Sequence, residues 1–177
     1  MSQAVAIETR SGTSVAGSGV ESLLQYLTFE VARETYGIPI GSVAEIIGVQ
    51  RITHVPDPRS HVKGVINLRG TVIPVIDVRL RMGMAPIEIG DRTCIVVVQL
   101  DRMLVGMLVD TIAGVIDVMA GEIEAAPRRR ASTIGDAIVT GFVHGDEGVR
   151  ILVDPERLLT DAERACGTSA RLEGARA

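Results

Sequence analysis

Three aspartates, Asp77, Asp110 and Asp154, each close an apolar run. Three carboxylates at strand ends are the donors a divalent cation would use, but capping or turn formation explains each one with fewer assumptions, because a carboxylate there accepts from the free amides of the following turn. His54, His61 and His144 have no cysteine or carboxylate at ligand spacing, so they read as packed or surface histidines. Cys94 lies among Thr93, Ile95 and Val96 with no His or Lys nearby in sequence to lower its pKa, and reads as a small core residue. Cys166 stands apart in a polar segment, so neither a disulfide framework nor a metal spacing is suggested and a reducing compartment is the simpler assumption. The phosphate-binding and nucleophile motifs G-x-x-x-x-G-K-[ST], G-x-G-x-x-G after a strand, and G-x-S-x-G are absent. The residues therefore predict no catalytic constellation, no metal and no cofactor.

Two basic features are left. Arg128-Arg129-Arg130 is the one basic cluster, able to contact anionic groups but equally read as a solvated loop face. Arg69 is more pointed. It sits with Gly70 between two β-branched runs in K-G-V-I-N-L-R-G-T-V-I-P-V-I-D, Lys63 to Asp77. Such runs separated by a dipeptide ending in Gly predict a β-hairpin, with Gly70 supplying the positive φ of the turn. Asn or Asp would serve the turn itself better than Arg. A long planar cation at the tip of a stiff ribbon suggests presentation to a partner, although locally Arg69 reads more simply as a solvated turn residue. A guanidinium can bind a carboxylate through two parallel bonds, in cis or across an interface, and Glu45 is a candidate partner.

These side chains must be positioned by strands. Hydrophobic residues make up 46% of the 177-residue chain and aromatics only 2%, which predicts an aliphatic core of Val and Ile. The net charge of −4 argues against nucleic acid as a partner, since phosphate binding needs a clustered basic surface. Mean hydropathy is high at +0.31, yet apolar runs such as Ile95 to Val98 and Met103 to Val109 are far shorter than the ~20 residues of a membrane span. No basic-then-apolar leader opens the chain, so no signal peptide is read.

In chain order, residues 1–22 lack periodicity and read as a disordered tail. Gln25 to Val31 alternates as a half-buried strand, and Thr35 to Ile40 makes a second strand that Pro39 confines to an edge or ends. Ser42 is read as capping a short turn through Val43, Ala44 and Glu45, and Ile52 to Val55 as a short strand stopped by Pro56. After the hairpin, Asp77 caps one or two helical turns that Gly83 ends. Residues 83–92 are turn-rich and divide the ordered chain into two comparable halves. The second half reads as strands at Thr93 to Leu100, buried on both faces, at Met103 to Val109, and at Thr111 to Met119 with a weak point at Gly114. A connector over 120–127, a polar loop over 128–136 and a hairpin of 138–144 with 149–153 follow. Asp154-Pro155 then starts a short C-terminal helix over about 155–165, and residues 166–177 read as a frayed tail. Some ten short strands at regular spacing predict an all-β fold of small barrels or a sandwich.

Y-G-I-P-I-x-x-V-A-E-I-I (Tyr36 to Ile47) and V-K-G-V-I-N-L-R-G-T-V-I-P-V-I-D-V-R (Val62 to Arg79) resemble the CheW family of bacterial chemotaxis adaptors, as do V-G-M-L-V-D-T-I-A-G-V-I (Val105 to Ile116), G-E-I-E-A-A-P, T-G-F-V-H-G and I-L-V-D-P-E-R-L-L, in the same order. The resemblance spans about residues 24–160, and K-G-x-x-N-L-R-G is its most specific element. It implies two intertwined five-stranded SH3-like β-barrels within residues 23–165. It also implies a non-enzymatic cytoplasmic scaffold, held at the inner face of the membrane through receptor arrays. The partners implied are the cytoplasmic tips of methyl-accepting chemoreceptors and the regulatory domain of the histidine kinase CheA. Matched position by position, the family's coupling residues fall on Arg69 and Glu45. Val43, Ile46, Lys63, Gly64, Asn67, Gly70, Val105 and Met107 lie in the matching surface or its support. The approach from Asp57 to His61 and the Arg128 to Arg130 loop depart from the pattern and leave the particular receptors and kinase open. A coupling protein of a related array, governing pili or gene expression, is the alternative within the fold. A small-molecule-binding β-barrel is the alternative from another class.

Overall fold

The computed structural model describes residues 22–56, 61–86, 88–126 and 138–158. Eleven strands follow one another: β1 (Leu23–Val31), β2 (Glu34–Pro39), β3 (Val43–Gly48), β4 (Val62–Leu68), β5 (Thr71–Asp77), β6 (Cys94–Leu100), β7 (Met103–Val109), β8 (Thr111–Met119), β9 (Glu124–Ala125), β10 (Val139–Gly145) and β11 (Gly148–Val153). The four-residue helix α1 (Val78–Arg81) separates β5 from β6. The strands form a six-stranded sheet, β8-β1-β2-β11-β10-β9, and a five-stranded sheet, β3-β6-β7-β5-β4. The two-residue β9 supplies the sixth strand of the former. Pairing is antiparallel throughout except for β2 with β11 and β5 with β7.

Neither sheet is built from one half of the chain. The five-stranded sheet takes β3 to β7, from both sides of residues 83–92, while β1 and β2 join β8 to β11 in the other. Strand pairing, not the turn-rich stretch, sets the lobes, and the lobes are interleaved.

β6 shows how the cores are divided. Ile95, Val96, Val97 and Val98 are all fully buried. Val96 and Val98 face a core shared by the two sheets, with Leu27, Phe29 and Ile38 opposite; Ile95 and Val97 face the separate core of the five-stranded sheet, with Ile66, Ile73, Val75 and Leu108. An unbroken apolar strand is what a strand with core on both faces requires. Three of the hairpin turns place non-glycine residues at positive φ: Ala32 with Arg33, Arg69 before Gly70, and Asp101 between β6 and β7. An L-residue held there costs roughly 1 kcal/mol, so its neighbours must hold it.

The structure corrects several expectations. Val43 to Glu45 is the start of β3, not a turn; the turn comes earlier, as a 3-10 segment at Ile40–Ser42 directly after Pro39. Between Ile52 and Val55 the described pairing is one bridge, Thr53 with Val65. Asp154 caps a turn through Glu156 N at 2.9 Å, and residues 155–158 form that turn. The remainder of the expected C-terminal helix, the tails before residue 22 and after residue 158, and the Arg128 to Arg130 loop lie outside the described residues. Among the described residues, no helix is long and apolar enough to cross a membrane.

Candidate functional site

The hairpin β4–β5 turns through Arg69-Gly70, with Leu68 opposite Thr71. Arg69 has φ 50° and Gly70 φ 85°, the two left-handed residues of a type I′ turn. Asn67 Oδ1 accepts from Gly70 N at 2.8 Å and fixes the turn. From there the Arg69 side chain reaches Glu45 on β3, with Nη1 to Oε1 at 2.7 Å and Nη2 to Oε2 at 2.9 Å. This fork is the cis pair that opposite charge suggested. Its guanidinium side remains open, with 71% of the Arg69 side chain exposed against 22% of Glu45.

Two irregularities aim these groups. β3 pairs Val43 with Val98 and Glu45 with the adjacent Val97, so Ala44 is an extra residue, a β-bulge. Without it, strand alternation would put Glu45 on the face of Val43, which packs on the shared core. The bulge turns Glu45 to the face of Val97 instead. A second bulge leaves Lys63 unpaired between Val62 and Gly64 on β4, and Lys63 Nζ lies 3.3 Å from Asp77 Oδ2. Asp77 also caps α1, accepting from Leu80 N at 3.1 Å.

β3 and β4 are the two edges of the five-stranded sheet, so a contact from Glu45 to the β4–β5 turn requires the sheet to curl until its edges approach. The seam is completed by Thr53, whose N and O bond Val65 O and N at 2.8 and 2.9 Å. Gly64 makes this possible. It has φ 141°, and a Cβ there would stand 2.1 Å from the Thr53 carbonyl oxygen. Glycine immediately before V-I-N-L-R-G is thus required by a backbone crossing that no local pattern reveals.

The other expected site residues divide by burial. Val43 and Ile46 are half-buried beside Glu45, and Asn67 and Gly70 are exposed. Val105 and Met107 are only 1% and 2% exposed and face the shared core, so they support the site and cannot touch a partner. Of the three strand-end aspartates, Asp77 and Asp154 cap as expected. Asp110 does something else. Its carboxylate accepts from Arg79 through Nε at 2.8 Å and through Nη2, and from Ala32 N at 2.8 Å. Burial pushes its carboxyl up, but Arg79 and the Ala32 amide outweigh burial and hold it below the usual carboxylate range. Among the described residues, no group of three or more His, Cys, Asp or Glu could hold a metal ion.

Sequence reasoning missed a second surface feature. On the six-stranded sheet, a groove of about 130 Å³ runs between Gly114 and Gly148. Val115 and Val149, half exposed, line it together with Thr28, Glu30 and Arg150. Its signal is a valine directly after a turn or bulge glycine in each of two strands, which reads equally as buried alternation.

The model of the CheW-like domain matches residues 25–163. The chemotaxis protein CheW of Klebsiella aerogenes is 34% identical over 141 residues, covering 80% of this chain and 84% of that protein. The chemotaxis protein CheW of Treponema pallidum is 31% identical over 143 residues, 78% of this chain and 84% of its own. The crystal structure of the scaffolding protein TtCheW from Thermoanaerobacter tengcongensis superposes with a TM-score of 0.72 at 28% identity, covering 80% of this chain and 96% of that one.

Proposed function

From the premise that this chain belongs to the CheW-like domain family, we propose that it holds the cytoplasmic tips of methyl-accepting chemoreceptors and the regulatory domain of the histidine kinase CheA in one complex, catalysing no step itself. It is a chemotaxis coupling adaptor. Its place is the cytoplasm, at the inner face of the membrane through the receptor array, and residues 23–165 are the coupling unit. The two lobes are SH3-like barrels, a reading supported by the closed seam of the five-stranded sheet.

One observation carries the site assignment: an Arg69–Glu45 fork made at a rigid turn, with the guanidinium left mostly open to solvent. A pre-ordered guanidinium can add a charge-assisted bond to a partner without first losing rotamer freedom. Val72, half exposed on the same hairpin, supplies apolar area beside it. An adaptor must hold two partners at once, and exposed large apolar residues occur on both sheets, Val72 on one and Val115 and Val149 on the other.

Reconstitution with receptor tips and CheA, read by co-sedimentation and phosphorylation rate, tests the proposal. The wild-type chain is expected to make kinase activity receptor-dependent. Arg69→Glu is expected to keep the fold and lower that stimulation ~10-fold, the value of one charge-assisted contact. Wild-type-like stimulation by Arg69→Glu would sink the assignment. If the cis fork is the operative element, Glu45→Arg combined with Arg69→Glu recovers activity; without recovery, Arg69 acts on the partner.

A further inference from the structure

The two sheets share a largely aliphatic core, Leu27 and Ile38 against Val96, Val98, Val105 and Met107 among them. Apolar contact is non-directional and does not by itself fix the angle of one sheet on the other. Directional bonds between the sheets gather at α1. Arg79 crosses to Asp110, which stands at the point where the chain leaves β7 of the five-stranded sheet for β8 of the six-stranded one. The same carboxylate takes Ala32 N at the tip of the β1–β2 hairpin, and Asp110 N donates to Glu30 O at 3.1 Å. Two residues further along α1, the buried Arg81 donates from Nε to Leu158 O at 2.6 Å, just beyond β11. At its other end α1 is capped by Asp77, which Lys63 binds from the bulge at the foot of the Arg69 hairpin.

We propose that α1 is a strap fixing the Arg69 hairpin at a set angle to the six-stranded sheet, and that Arg79 and Asp110 are positioning residues for coupling, acting through that angle and touching neither partner. The proposal rests on the adaptor reading above, with contact features on both sheets. A planar guanidinium bound through two of its nitrogens, with a third donor on the same carboxylate, restricts rotation as well as distance. Ala32 and Arg33, at φ 52° and 72°, occupy a backbone region that side-chain-bearing residues leave unless held, and Asp110 holds the first of them. A partner seated on one sheet and a partner seated on the other are thereby kept in one relative orientation.

The test uses the full chain with Cys94 and Cys166 replaced by Ser and spin labels at Val72→Cys and Val149→Cys, half-exposed sites on the two sheets. Inter-label distances are measured by pulsed dipolar spectroscopy on the labelled chain, and partner binding and receptor-dependent kinase stimulation are assayed on the unlabelled chain with Val72 and Val149 intact. Asp110→Asn keeps the shape and an acceptor for Ala32 but loses the charge; Arg79→Lys keeps the charge but cannot form the fork, and serves if the first variant fails to fold. Expected are a distance distribution at least ~2-fold broader, binding of each partner alone within ~2-fold of wild type, and a ~10-fold loss of stimulation. An unchanged distribution, or a broadened one with full stimulation, overturns the proposal. If the wild-type chain gives no stimulation, the adaptor reading fails instead, and the distance measurement still decides the strap.

Discussion

Arg69–Glu45 and Arg79–Asp110 are chemically the same object, a guanidinium forked onto a carboxylate, placed in opposite settings. In the first, the Arg side chain is 71% exposed and reached by no other described group. In the second, the side chains are 17% and 19% exposed, and the carboxylate is shared with a backbone amide. Exposed ion pairs contribute little to stability, because water solvates both charges about as well and salt screens them. A largely desolvated pair costs more to assemble, and breaking it leaves a charge that water cannot fully reach. The same pairing chemistry can thus serve presentation at a hairpin tip and bracing between sheets. Burial, not residue type, decides which.

The sharpest way to break this contrast is to remove the seam on which the exposed pair depends. Gly64→Ala forces a Cβ against the Thr53 carbonyl at a left-handed φ, and is expected to destabilise by roughly 3 kcal/mol or more in urea unfolding. Next comes Asp110→Ala, which strands the Arg79 guanidinium and the Ala32 amide. Because the pair keeps about one-fifth of its side-chain surface, the expected loss is about 2–3 kcal/mol, below that of a fully buried pair. A loss indistinguishable from zero would make the two forks equivalent.

Acid titration sharpens the contrast further. The Asp110 carboxyl is depressed in the folded chain, so on acidification the unfolded chain takes up its proton first. The stability this group contributes is full above the ordinary carboxylate range and is lost as pH falls through the depressed folded value. Asp110→Asn is therefore expected to give a shallower fall of stability with acid than wild type. The smallest stability effect belongs to Arg69→Glu, whose thermal midpoint is expected to stay at the wild-type value while assembly suffers. A clear drop in that midpoint would recast Arg69 as a brace.

Local patterns exposed much of this architecture before any coordinates. The Arg69-Gly70 hairpin, the doubly buried β6 and the Asp77 cap all follow from features within a dozen residues of one another. So did the choice of Glu45 as partner for Arg69, since opposite charges on two turn-like segments suffice to raise it. What escaped depends on strands distant in sequence. The Ala44 bulge is visible only against β6, which is why Val43 to Glu45 read as a turn. The need for glycine at Gly64 does not show locally, because the Thr53 carbonyl it admits arrives from outside the hairpin. Asp110 read as a turn residue because Arg79 lies 31 positions away, across a sheet order that no periodicity encodes. Which strands share a sheet is a question of pairing, and the turn-rich stretch at 83–92 gave the wrong partition for that reason.

The interleaved sheet order has a consequence for how the chain is made. Strands β3 to β7 are consecutive, so the five-stranded sheet can close as soon as residue 109 has left the ribosome. The β1–β2 hairpin emerges first, yet its pairing partners come late in the chain. It must wait for β8 on one side and β11 on the other, with β11 adding in parallel at the far end of the described chain. Until then its apolar edges stand open, and long-range pairings of this kind are the slow, aggregation-exposed part of folding. In chain order the strands of the five-stranded sheet are complete while the six-stranded sheet still lacks β8 to β11.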